Sequence, residues 1–267
     1  MKQISILGCG WLGLPLAKSL IEKGFSVNGS TTSVEKIAVL ENVGISAFQI
    51  SLFEDKIEGN LDLFLSNSNV LIIDIPPKLR GNSSENFVAK IQNIIPFIEK
   101  SSVEKVLFVS STSVYSDDNS IITEETIPNP DSESGKQLLE AEQLLQSNSN
   151  FQTTIVRFGG LIGEERHPIK FLAGRKNIEN PEGPINLIHQ VDCIGIIEAI
   201  YETNSWQETY NAVTPYHPIR KEYYTHKAIE LNLPLPEFDE SKISIGKTIL
   251  SKKVIETLNY NYSFPEL

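Results

Sequence analysis

Residues 2–13 read KQISILGCGWLG, and the fold turns on how they are parsed. KQISIL (2–7) is a strand pattern that runs straight into glycine. Gly8, Gly10 and Gly13 then stand in the spacing G-x-G-x-x-G. From Leu12 the pattern is helical: LGLPLAKSLIEK (12–23) repeats Leu12, Leu16, Leu20 and Ile21 at helical spacing, tolerates Pro15 in its first turn and stops at Gly24. A glycine-rich turn between a first strand and a first helix is a phosphate cradle. The first glycine permits the tight turn, the second lets the backbone approach a diphosphate, and the third lets helix and strand pack closely. The helix N-terminus supplies free N–H groups and partial positive charge. Trp11 and Leu12, which lie between the second and third glycines, count with Gly8, Gly10 and Gly13 as cofactor-binding residues.

Outward from this turn, strands and helices alternate. FSVNGS (25–30), ISAFQI (45–50), the apolar run NVLIIDI (69–75), KVLFVS (105–110) and TTIVRF (153–158) read as further strands. A helix is expected over about 33–42. Beyond the connecting stretch PPKLRGNSS (76–84), another carries Phe87, Val88, Ile91, Ile94, Ile95 and Ile98, with a kink at Pro96. GKQLLEAEQLL (135–145) is a third, with Asp131 as its expected N-cap. This rhythm predicts an α/β fold, a Rossmann-type doubly wound parallel sheet in the order 3-2-1-4-5-6. It spans residues 1–160. Residues 161–267 carry more prolines and shorter strands and read as a smaller substrate-side region packed on the sheet, with helices near 192–203 and 219–231. Asn211-Ala212-Val213 is a candidate further strand returning to the sheet.

Composition narrows the function classes. The 267 residues are 40% hydrophobic and 21% charged, as in ordinary globular proteins. No apolar run is long enough for a membrane span. Lys2 and the apolar stretch after it resemble a secretion signal, but three glycines and Pro15 interrupt it. Acidic residues outnumber basic ones 34 to 23, a formal net charge of −11 that repels nucleic acid and anionic lipid. Any anionic ligand must therefore be held by local groups. Cys9 and Cys193 form neither a disulfide framework nor a zinc site and suit a reducing cytoplasm. No metal-ligand spacing is present, and the expected assembly is a monomer or homodimer.

The end of the second strand bears on the cofactor. NAD sites place a carboxylate there, about 20 residues past the glycines. This chain has GSTTS (29–33), with Lys36 just beyond. Hydroxyls at Ser30, Thr31 and Thr32 would accommodate a 2′-phosphate, so NADP is expected, with NAD the alternative. After the fourth strand, Ile75 and Pro76 pass the cofactor.

SSTSVYSD (110–117) resembles the SSxxVYG segment of extended short-chain dehydrogenase/reductases, the group that contains sugar-nucleotide epimerases and dehydratases. RFGGLIG (157–163) and NLIHQVD (186–192) resemble further segments of that family, in family order, across nearly the whole chain. The resemblance implies a Ser that hydrogen-bonds the substrate oxygen (Ser111), a Tyr that transfers the proton and a Lys that lowers its pKa (Lys136). It also places Phe158 and Gly159 beside the cofactor. The tyrosine position, however, is Ser132. A tyrosine titrates near pH ~10, within reach of an adjacent ammonium, whereas a serine hydroxyl is far too weak an acid. Three readings stay open. Tyr115 substitutes for the missing tyrosine, substrate or water supplies the proton, or the protein binds the dinucleotide without turnover. Lys136 holds the nicotinamide ribose in all three.

EERHPIKFLAGRK (164–176) is the densest basic patch, with Arg166, His167, Lys170 and Arg175 as the expected contacts to a phosphorylated or nucleotide-linked small molecule. The expected function is a reductase, epimerase or dehydratase on a sugar-nucleotide-like or small anionic substrate. The alternative is a non-catalytic NADP(H) sensor.

Overall fold

The computed structural model describes residues 2–77, 79 and 85–267. The rest of the stretch after Pro77 therefore lies outside the described residues. The strands are β1 (Gln3–Leu7), β2 (Ser26–Thr31), β3 (Ser46–Gln49), β4 (Ser51–Leu52), β5 (Ile57–Glu58), β6 (Ser68–Ile73), β7 (Lys105–Ser111), β8 (Ile121–Ile122), β9 (Gln152–Phe158), β10 (Gly160–Ile162), β11 (Leu187–His189), β12 (Thr209–Ala212) and β13 (Thr248–Ile249). The helices are α1 (Gly13–Glu22), α2 (Ile37–Glu41), α3 (Leu61–Leu65), α4 (Phe87–Lys100), α5 (Glu133–Gln146), α6 (Ile169–Leu172), α7 (Gln190–Glu202), α8 (Arg220–Glu230) and α9 (Lys252–Glu256).

Seven strands form one parallel sheet in the order β12-β9-β7-β6-β1-β2-β3. The expected order of the first six strands is observed, and Asn211 and Ala212 belong to the seventh. Both faces are covered, which is why the central strands are apolar without a gap. Val70 and Ile72 of β6 pack in one layer with α1 and α7, while Leu71 and Ile73 pack in the other with α4 and α5. Each such fully buried side chain contributes about 1.5–3 kcal/mol over exposure. Chain beyond residue 160 thus rejoins the main sheet through α7 and β12. It also builds a small core of its own, from Ile162, Ile169, Ile185, Leu187, Tyr223 and Tyr224.

Two local expectations are corrected. Residues 33–42 form a short 3-10 turn (Val34–Lys36) before α2 rather than one helix. Helix α4 (Phe87–Lys100) contains Pro96 in its interior. The N-cap of α5 is Ser132, not Asp131: its hydroxyl accepts the Gly135 backbone N–H at 3.1 Å. Asp131 instead accepts the N–H of Asp117. Among the described residues no helix is long and apolar enough to cross a membrane.

Candidate functional site

Strand β1 delivers its last residue to the glycine turn at the C-terminal edge of the sheet, where open α/β sheets bind ligands. The three glycines are there for different reasons. Gly8 has φ +111°, and a Cβ on it would lie 2.2 Å from the Asp74 carbonyl oxygen. A Cβ on Gly13 would lie 2.2 Å from the Gly8 carbonyl oxygen. Those two are required by the protein's own packing. Gly10 is exposed, and no described atom lies within 4 Å of where its Cβ would stand. Its missing side chain serves open space. The N–H groups of Trp11 and Leu12, just ahead of α1, make no hydrogen bond among the described residues. Together these features fit a diphosphate: a backbone surface clear of side chains, edged by free donors.

Ser30 and Thr31 behave differently from the sequence expectation. Ser30 is 2% exposed, and its hydroxyl accepts the Gly8 N–H at 2.9 Å, while its carbonyl accepts the Cys9 N–H at 2.7 Å. Thr31 is also buried, and its hydroxyl accepts the Ser33 N–H. Both shape the turn rather than reaching outward, and Thr32 alone of the three is exposed. Glu35, overlooked in the sequence reading, is bonded by Ser33 Oγ.

Sequence reasoning also missed Asp74. It ends the apolar run of β6, and its carboxylate lies beside Gly13. Burial pushes its carboxyl up to about 7, against the opposing pull of the Gly13 N–H and the Arg166 charge. The available signal was one acid closing an otherwise aliphatic strand at the ligand-binding edge. Ile75 packs beside Gly8, and Pro76 is exposed next to it. Phe158 and Gly159 are buried, with Gly159 donating its N–H to the Ala212 carbonyl. Their side-chain positions face the core.

A second cluster surrounds the start of α5. A Cβ on Gly135 would lie 2.2 Å from the Ser113 carbonyl oxygen, so the absence of one lets α5 seat directly on the turn after β7. That brings Ser132 and Lys136 to the same turn as Ser111. Ser111 is half-buried and accepts the Ser113 N–H, and Lys136 is exposed. Tyr115 points inward and is 2% exposed. Its hydroxyl accepts from Arg157 Nη1 at 2.6 Å and donates to Asn211 Oδ1 at 3.0 Å. Burial pushes the phenol further above its usual value despite the neighbouring guanidinium. Arg157 is itself forked onto Glu142, with Nη2 to Oε2 at 2.6 Å.

The basic patch does not converge. Arg166 lies with its guanidinium carbon 4.7 Å from the Trp11 ring centroid, at the glycine turn. His167 is bonded to the Tyr223 hydroxyl at 2.9 Å and accepts the Ile169 N–H. Burial pulls its pKa down to about 4. Lys170 donates to the Glu165 carbonyl, and Arg175 sits where the chain pairs with Glu237. His189 caps α7 and stacks on Phe264 with centroids 3.7 Å apart. Cys9 and Cys193 are free and buried, and no metal-binding cluster occurs among the described residues.

No family model matches the chain. Over 268 aligned residues it is 32% identical to Protein YeeZ of Escherichia coli (strain K12), spanning 100% of this chain and 97% of YeeZ. Among solved structures it resembles a functionally unknown conserved protein from Silicibacter pomeroyi DSS, with TM-score 0.80 and 21% identity over 100% of this chain and 95% of that one. MoeE5 in complex with UDP-glucose and NAD gives TM-score 0.78 and 17% identity over 98% and 93% of the two chains. UDP-glucuronic acid 4-epimerase from Bacillus cereus in complex with NAD gives TM-score 0.78 and 17% identity over 98% and 94%. At these identities the structural likeness is one of fold.

Proposed function

The chain belongs to the family of Escherichia coli YeeZ and has the fold of the extended short-chain dehydrogenase/reductases, and from that premise we propose that it binds NAD(P) at the glycine turn and acts on a sugar-nucleotide-like or other small anionic substrate. The observation that carries the reading is Gly10, at the helix N-terminus, whose Cβ position has no described atom within 4 Å. Gly8, Gly10, Trp11, Leu12 and Gly13 hold the diphosphate, Ile75 and Pro76 line the passage beside it, and Lys136 holds the nicotinamide ribose. NADP is the proposed form. Thr32 is exposed at the end of β2 with Lys36 four residues on, and Glu35 is the competing carboxylate.

The bound cofactor would supply or accept hydride. A substrate oxygen that becomes a hydroxyl in such a reaction also needs a proton. Ser111 is the proposed hydrogen-bond partner of that oxygen. Ser132 cannot be the acid, because its hydroxyl is a helix cap and is far too weakly acidic. Tyr115 would have to abandon two buried hydrogen bonds. The proton therefore comes from water or from the substrate itself. The proposed setting is a reducing cytoplasm, as a monomer or homodimer.

The commitment of both hydroxyls favours a second reading, a dinucleotide sensor that performs no chemistry. Incubation with NADPH and a set of nucleotide-linked sugars and small anionic carbonyl compounds separates the two. Consumption of NADPH or interconversion of a sugar nucleotide supports the enzyme. Binding of NADP(H) without turnover of any compound supports the sensor. Absence of dinucleotide binding overturns both.

A further inference from the structure

We propose that Arg166 is a diphosphate-binding residue of the dinucleotide site, carried onto the glycine turn by the loop after β10, and not a contact to substrate. Three observations place it there. Gly163 and Arg166 close a tight loop by reciprocal backbone hydrogen bonds, Gly163 N–H to Arg166 O at 2.8 Å and Arg166 N–H to Gly163 O at 3.1 Å. That loop is pressed on the glycine turn: a Cβ on Gly163 would stand 3.0 Å from the edge of the Trp11 indole. The guanidinium then lies over the Trp11 ring, an arrangement that holds a planar cation in a fixed orientation. The turn is anchored from a third side by Gln190 at the start of α7, whose Nε2 donates to the Trp11 carbonyl at 2.5 Å.

Charge supplies the reason for such a device. The chain carries a net charge of −11, and Asp74 places a carboxyl beside the N–H of Gly13. An incoming diphosphate meets that acid at close range. A guanidinium fixed at the same turn offsets the repulsion and offers paired N–H donors to phosphate oxygens. Elsewhere in the patch, His167 is bonded to the Tyr223 hydroxyl, Lys170 donates to the Glu165 carbonyl and Lys176 pairs with Glu237. Trp11 is thus a support for Arg166 as well as part of the turn.

The inference rests on the proposed dinucleotide site and is tested separately from it. NADPH, ADP and adenosine are titrated into wild-type protein and into Arg166→Met and Arg166→Gln. The expected result is a loss of NADPH and ADP affinity of about 10- to 100-fold in both variants, with adenosine binding unchanged. Arg166→Gln also serves if Arg166→Met does not fold, and thermal melting of each variant checks this. Unchanged NADPH and ADP affinity in a folded variant overturns the inference while leaving the dinucleotide site intact. Failure of wild-type protein to bind NADPH overturns the proposed function itself.

Discussion

The Tyr115 hydroxyl accepts a hydrogen bond from Arg157 Nη1 at 2.6 Å, in a buried network that continues to Glu142 and Asn211. A phenol held this way is a structural strut. Tyr115→Phe is expected to lower unfolding stability by about 1–3 kcal/mol, because Asn211 loses a donor and Arg157 an acceptor in a buried place. NADPH affinity should not change. Urea denaturation and a cofactor titration check both halves. A variant of native stability that has lost turnover would instead mark Tyr115 as the proton donor.

The ion pair behind that phenol should matter more. Glu142 is 0% exposed, receives Ser110 Oγ at 2.5 Å and carries the Arg157 fork. Glu142→Gln leaves a buried guanidinium without its counter-charge and should cost about 3–5 kcal/mol. A denaturation midpoint close to wild type would show that the site reorganises.

The glycines of the turn are expected to separate folding from binding. Gly8→Ala meets the Asp74 carbonyl at 2.2 Å from a φ of +111° and should fold poorly or not at all. Gly10→Ala meets no described atom and should melt like wild type while losing NADPH affinity. Circular dichroism melting and fluorescence titration of the two variants give the comparison.

Ser132 has a measurable task other than proton transfer. Ser132→Ala removes the cap on Gly135 and should destabilise the protein by about 1 kcal/mol. Any turnover should persist within a few-fold. A collapse of turnover at unchanged stability would return Ser132 to the chemistry.

Asp74 gives the site a pH dependence. Below about 7 its carboxyl is neutral, and above it the carboxylate repels a bound diphosphate. Among the described residues, the charged or titratable groups near it are the Arg166 guanidinium and the thiols of Cys9, pushed up to about 12 by burial, and Cys193, also pushed up by burial. NADH affinity should therefore fall as pH rises through about 7, and Asp74→Asn should flatten the profile and tighten binding above it. NADH is the suitable probe because a 2′-phosphate titrates near pH ~6 itself. The same raised pKa favours the fold most at acid pH. That contribution is lost as pH climbs from the unfolded carboxyl value of about 3.9 toward 7.

The sheet was legible in the sequence because a buried parallel strand has to be apolar on both faces. NVLIIDI and KVLFVS have no other comfortable reading, and six strands in the order 3-2-1-4-5-6 followed. The glycine turn was legible because Gly8 and Gly13 are demanded by backbone geometry that leaves a fixed spacing. What escaped were orientations. Ser30 and Thr31 lie in a row of hydroxyls, yet one accepts from Gly8 and the other from Ser33. Asp131 and Ser132 are both good capping residues, and only the start of the helix distinguishes them. The four basic residues from Arg166 to Arg175 are neighbours in sequence, but the tight loop at Gly163 and the short α6 send them to different partners.

The most direct measurement is calorimetric titration of the wild-type chain with NADPH and with NADH up to millimolar concentration. The expected outcome is saturable one-to-one binding of NADPH, with NADH weaker, both lost in Gly10→Ala that melts like wild type. No heat and no thermal protection from either dinucleotide would contradict the assignment of residues 8–13 as a diphosphate cradle.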